Sequence, residues 1–151
     1  MRRKDREMTK EFAIEVADKC EWATLGMITP SNTPYCIPIS IARIDNFIYF
    51  HCAKDGSKID SLNHCSDVCL SCVGDTQRLS DEFSTKYQSA IVFGKAIRVT
   101  DDREKTIALR ELCQRHTPDN MPNFEEAIQK SLWRTDVWKI SIDRISGKCK
   151  K

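Results

Sequence analysis

The strongest constraint on this chain is a period-two pattern of apolar residues interrupted by short turn signals. In YCIPISIARI, Ile37, Ile39 and Ile41 alternate with Pro38, Ser40 and Ala42, which puts alternate side chains on one face of an extended strand. The preceding run, ATLGMIT, is set off by Pro30-Ser31-Asn32-Thr33-Pro34, and the following run, FIYFHC, by Asp45-Asn46. Three such runs joined by short turns predict a meander of antiparallel strands. Pro38 is the misfit. It has no N–H to give a ladder, so its strand should be an edge, carry a bulge, or face something other than a strand.

Around this meander the pattern switches to helical spacing. Ala13, Val16, Ala17 and Cys20 predict an amphipathic helix over Glu11–Cys20, with Thr9 as its N-cap. A short helix follows from Ser57 to Cys65, then a VCLSCV strand. A loop rich in charge and hydroxyls (75–86) leads to the long strand YQSAIVFGKAIRVT, with Gly94 as a bulge. One later helix carries Ala108, Leu109, Leu112, Cys113 and His116 on one side. The next carries Phe124, Ala127, Ile128 and Leu132 and is entered through Pro122. VWKISIDRI is the last strand, and SGKCKK a solvated basic tail. Five or six strands with few crossover helices favour an antiparallel barrel over a doubly wound sheet. With 151 residues, no repeat and no linker, residues 1–151 form one domain.

Composition narrows the function. Lys plus Arg is 24 and Asp plus Glu is 22, a net charge of +2, which argues against electrostatic nucleic-acid binding. No apolar run approaches the ~18 residues of a membrane span, and MRRKDREMTKEF lacks a signal-peptide core. A cytoplasmic protein with no membrane partner is expected. The eight cysteines could mean disulfides, a metal site, a redox motif or packing. The closest cluster is His64, Cys65, Cys69 and Cys72. On a strand, Cys69 and Cys72 point to opposite faces, no second C-x-x-C exists, and no helix start follows to lower a thiol pKa. Neither a metal site nor thioredoxin-like chemistry is expected; most of these thiols pack as small hydrophobes.

The chemistry concentrates between Tyr49 and Lys58: a strand end, a glycine loop, then Ser57-Lys58 opening a helix. The free N–H groups and positive dipole of a helix start suit an anion such as phosphate. The competing reading is an ordinary Ser N-cap beside a solvated Lys. For His51, on the same strand face as Phe47 and Tyr49, the competing reading is a hydrogen-bonded core histidine.

The run YFHCAKDGSKIDSLNHCSDVCLSCVG resembles the nitroimidazole-resistance (Nim-type) proteins of the pyridoxamine 5′-phosphate oxidase-like superfamily. MRRKDREMT, ATLGMITPSNTPYCIPISIA, STKYQSAIVFGKAIRV and KISIDRISGK resemble their counterparts in order. The resemblance implies a mainly β fold with peripheral helices, the antiparallel Greek-key-type FMN-binding split β-barrel. It further implies a homodimer with FMN (or FAD) in a groove at the interface. Ile37, Pro38, Ile39 and Ser40 would lie along the flavin, Tyr49, Phe50 and His51 would flank it, and Ser57 and Lys58 would hold its phosphate. His51 would be the catalytic group, its pKa lying near working pH. Trp133, Trp138, Lys86 and Tyr87 are secondary candidates, and His64 and His116 read as structural or exposed. The chain lacks the C-terminal Arg- and His-bearing substrate segment of true pyridoxamine phosphate oxidases. With no G-x-G-x-x-G fold, NAD(P)H would be a diffusible donor. The expected function is flavin-dependent reduction of a nitroaromatic or similar small acceptor; the alternative is a non-catalytic flavin- or haem-binding protein.

Overall fold

The structure, a computed structural model, describes residues 2–151. Its first half runs β1 (Glu7–Met8), α1 (Lys10–Lys19), β2 (Ala23–Ile28), β3 (Pro34–Ile39), β4 (Ala42–Ile44), β5 (Phe47–Cys52) and α2 (Ser57–His64). The second half runs β6 (Asp67–Leu79), β7 (Ser84–Arg98), α3 (Asp102–His116), α4 (Phe124–Ser131), β8 (Asp136–Ser141) and β9 (Arg144–Lys150). Strand pairing is antiparallel in the order β3-β2-β6-β7-β8-β5-β4, with β9 and β1 continuing from β7. This path does not close on itself, so the fold is a split β-barrel. No helix among the described residues is long and apolar enough to cross a membrane.

The predicted elements are present, but the chain distributes them differently. YCIPISIARI is two strands, not one. The chain leaves β3 at Ser40-Ile41 and enters β4, which pairs with β5 on the other side of the barrel. The expected three-strand meander is therefore two hairpins in separate sheets. Pro38 lies on β3, the terminal strand of the path, so the edge reading holds and the missing N–H costs no ladder bond.

Three further expectations are corrected. Most of the 75–86 loop is strand: β6 and β7 continue as a hairpin and turn only at 80–83. The tail is not free, because β9 pairs with β7 from Lys150↔Tyr87 to Arg144↔Phe93. With these additions the described residues form nine strands. Gly94 is not a bulge. It pairs in register with Val68, and the irregularity lies between Val73 and Thr76. Gly94 instead marks where β7 passes from β9 to β8, and a Cβ there would sit 1.7 Å from the Ser141 carbonyl oxygen.

β5 divides two cores because successive side chains alternate. Ile48 and Phe50 join Leu25, Leu70, Val92 and Ile140 inside the barrel, covered by Ala13, Val16 and Ala17 of α1. Tyr49 faces the other way, with Val137, Val99 and the Ala108, Leu109 and Leu112 stripe of α3. Thr9 caps α1 as predicted, its Oγ1 accepting the Phe12 N–H at 3.2 Å. All eight cysteines are free thiols. Cys72 is buried and Cys69 half-buried on the opposite face, as the strand reading requires. In the barrel core the Cys20 thiol donates to the Ala17 carbonyl at 3.3 Å, and neighbouring Cys72 and Arg115 lower its pKa.

Candidate functional site

Two structures meet at the end of β5. The first is the start of α2. Gly56 holds φ +107, a left-handed conformation that glycine tolerates. It, not Ser57, occupies the N-cap position, so the Ser N-cap reading is corrected: Ser57 is the first helical residue. No side chain caps the helix, and the first helical bond runs from the Asp60 N–H to the Gly56 carbonyl, 3.1 Å. The N–H groups of Ser57, Lys58 and Ile59 thus keep the unpaired state of a helix start. Nothing lies within 4 Å of a Cβ built on Gly56. Open space, three free N–H donors, the Ser57 hydroxyl and the Lys58 ammonium together form a donor set suited to a phosphate. Lys58 Nζ also lies 5.9 Å from the Phe50 ring centre, which places it against β5.

The second structure is a cavity of about 380 Å³ between the end of β5 and helices α3 and α4. β5 contributes His51, and the residue after β3 contributes Ser40. His116, the last residue of α3, lies 2.9 Å through Nε2 from the Ile41 carbonyl. A carbonyl can only accept, so the ring donates from Nε2 and neutral His116 keeps its lone pair on Nδ1. This bond ties the end of α3 to the bend that places Ser40. Leu109 and Leu112 of α3 and Phe124, Ala127 and Ile128 of α4 form the apolar wall.

His51 stands where the two structures meet. The ring stays open to solvent on one side, but desolvation by the surrounding protein, then the positive charge of Lys58, then His116, push its pKa below the ordinary histidine value. An imidazole held neutral near pH 7 can accept a proton or donate a hydrogen bond without a standing charge.

The remaining sequence candidates divide by face. Ile37 and Ile39 pack toward the barrel core, Pro38 is exposed on the edge, and Ser40 reaches the cavity. Phe50 is fully buried and Tyr49 is 6% exposed. The Tyr49 hydroxyl donates to Glu104 Oε1 at 2.8 Å, and Lys139 donates to the same oxygen at 2.7 Å. Of the three consecutive β5 residues, only His51 presents its side chain to the cavity. Trp138 is 3% exposed in the barrel core, which removes it as a residue able to cover a ligand from outside. Trp133 is exposed, its indole N–H donating to the Lys130 carbonyl at 3.1 Å. Tyr87 lies beside Arg6 and Lys148, Lys86 is exposed, and His64 lies 3.3 Å from Asn32 Oδ1. None of these lines the cavity. Among the described residues no three His, Cys, Asp or Glu side chains are arranged to hold a metal.

The residue that sequence reasoning missed is His116. It shares the α3 stripe with Leu109 and Leu112, which shows that it faces inward, but not that α4 closes a cavity over it.

The sequence profile of the pyridoxamine 5′-phosphate oxidase family matches residues 11–149; the chain belongs to that family. No curated protein matches the sequence. Among solved structures it is similar to a candidate 5-nitroimidazole antibiotic resistance protein from Bacteroides thetaiotaomicron (20% identity, TM-score 0.78, covering 95% of this chain and 86% of that one). It is similar to a flavocytochrome from Azotobacter vinelandii (22% identity, TM-score 0.80, covering 95% and 68%). It is also similar to an FAD- and haem-binding protein from Mycobacterium smegmatis (22% identity, TM-score 0.81, covering 97% and 74%). At these identities the likeness establishes the fold.

Proposed function

We propose that this chain is a cytoplasmic flavin-dependent oxidoreductase that reduces a nitroaromatic or similar small acceptor. The observation that carries the reading is the uncapped start of α2, with Gly56 at φ +107 and Lys58 beside His51, in a member of a family named for a phosphate-bearing substrate. FMN is the flavin whose single phosphate fits this donor set, and a homodimer would complete the groove along β3. A bound flavin supplies a reversible electron carrier. The chain's own residues bind and orient. The Ser57, Lys58 and Ile59 N–H groups and the Lys58 ammonium hold the phosphate, and the edge from Ile37 to Ser40 lies along the ring system and ribityl chain. His51 holds or gives a proton at its imidazole nitrogen. NAD(P)H serves as a diffusible donor.

An absorbance scan of the purified protein, with and without added FMN, is the direct test. Near-stoichiometric flavin bands, anaerobic bleaching by NADH or NADPH, and loss of binding in the Ser57→Ala/Lys58→Ala pair are expected. A colourless protein that ignores FMN defeats the proposal. The names of the Azotobacter and Mycobacterium neighbours favour a second reading, a non-catalytic flavin- or haem-binding protein. A Soret band, or flavin that no donor bleaches, would support it.

A further inference from the structure

The cavity under α3 and α4 has a chemistry of its own. Its size, about 380 Å³, lies within the range of small-molecule sites, roughly 300–1,000 Å³. No carboxylate, lysine or arginine lines it among the described residues. An ionised ligand would therefore enter an apolar enclosure without a counter-charge, which is costly. The apolar wall, from Leu112 to Phe124 and Ile128, suits a flat hydrocarbon body.

The polar groups are mostly committed as donors already. Thr117 Oγ1 donates to the Cys113 carbonyl (3.2 Å), Ser131 Oγ to the Ala127 carbonyl (2.6 Å), and Thr135 Oγ1 to the Ser131 carbonyl (2.9 Å). Each hydroxyl keeps lone pairs but has used its proton. His116 has likewise used its Nε2 proton on Ile41 and retains an acceptor at Nδ1. Ser40 and His51, which line the β-strand side, keep their donors; the helical side, from His116 to Thr135, is rich in acceptors and poor in free donors.

We infer that this cavity is a binding site for a small uncharged aromatic molecule carrying an N–H or O–H donor, with His116 as its polar anchor. It is separate from the phosphate-binding start of α2, since Ser57 and Lys58 do not line it; Ser40 and His51 are the residues it shares with the flavin groove. The inference rests on the flavin reading only for the ligand's role as electron acceptor, not for the site itself.

The test uses the flavin-free chain and three matched probes: phenol, toluene (similar in shape, no donor) and benzoate (charged). Phenol should bind saturably and shift the methyl resonances of Leu109, Leu112 and Ile128. Toluene should bind about 3- to 10-fold more weakly, the range of one net hydrogen bond, and benzoate more weakly still. His116→Phe should erase the preference for phenol over toluene, and His116→Gln, which keeps a donor and an acceptor, should restore part of it. Ala127→Trp, at an exposed position whose larger side chain can fill the cavity, should abolish binding of both neutral probes. Equal affinity for phenol and toluene, strong benzoate binding, or shifts outside the cavity would overturn the inference. Failure of the flavin reading appears separately, as absent FMN binding with phenol binding intact.

Discussion

The Arg98 guanidinium Nε lies 2.9 Å from Asp136 Oδ2, and the Asp136 side chain is 2% exposed. Trp138 Nε1–H donates to the same oxygen at 3.2 Å. The pair joins the end of β7 to the start of β8, where the barrel path turns toward β5. Removing one partner of a buried pair leaves an uncompensated charge, which costs about 3–5 kcal/mol when both partners are fully buried. Because the Arg98 side chain is 44% exposed, Arg98→Met should cost less, about 2–3 kcal/mol. At this chain length that is a fall of about 5–10 °C in Tm. A thermal melt unchanged within a degree would show that Trp138 alone satisfies Asp136.

Gly94 and Gly74 offer a matched comparison within the β6–β7 sheet. A Cβ at Gly94 meets the Ser141 carbonyl oxygen at 1.7 Å, whereas at Gly74 the nearest atoms are Gln88 Cβ and Oε1, both at 3.1 Å. The first clash can be relieved only by moving the β8 backbone, the second by Gln88 giving a few tenths of an ångström, so Gly94→Ala should destabilise by about 3 kcal/mol or more and Gly74→Ala by less, about 1 kcal/mol. Urea midpoints for the two variants check the order. Equal shifts would mean that β8 moves away from β7 easily.

The sequence made the buried strands legible where one face is apolar and the other is not. Ile37 and Ile39, or Val68 and Leu70, repeat at two because each strand has an inside. The β6–β7 hairpin beyond Gly74 has no inside: Asp75, Thr76, Gln77 and Arg78 are all exposed, so nothing imposes a period and the stretch reads as loop. The same holds for β9, where only Gly147 is buried. The break at Ser40-Ile41 escaped for the opposite reason, since Ile39 and Ala42 on its two sides, and Ile41 within it, are all buried. At the site, His51 and Lys58 stood out by position along the chain. His116 depends on α4 closing over α3, a tertiary fact that spacing alone does not encode.

His51 should titrate below the ordinary histidine value of about 6.5, because partial desolvation, Lys58 and His116 all disfavour its charged form. In the unfolded chain the same ring takes up its proton first as pH falls. The unfolded state therefore binds more protons between about pH 6.5 and the folded pKa, and stability drops as pH decreases through that window. His51→Gln should lose less stability than the parent as pH falls below about 6.5, and Lys58→Met should raise the His51 midpoint in an NMR titration. A His51 midpoint at or above the ordinary value would contradict this account of its surroundings.

Gly56 connects stability to the proposed phosphate site. At φ +107 an L side chain is strained, while nothing within 4 Å obstructs the added methyl itself. Gly56→Ala should therefore act through the backbone, at a cost of about 1–2 kcal/mol for as long as the left-handed conformation is kept. Two responses are available to the chain. If the loop keeps its shape, Tm falls and FMN affinity changes little, apart from the methyl intruding on the phosphate space. If it relaxes toward negative φ, the Ser57 and Lys58 N–H groups turn away and FMN affinity falls at least tenfold while Tm recovers. The second response is expected, since residues 53–57 are all exposed and little packing holds the strained form. Paired Tm and FMN titrations of the variant decide between them, and a variant with both values at the parent level would show that the left-handed Gly56 conformation matters to neither.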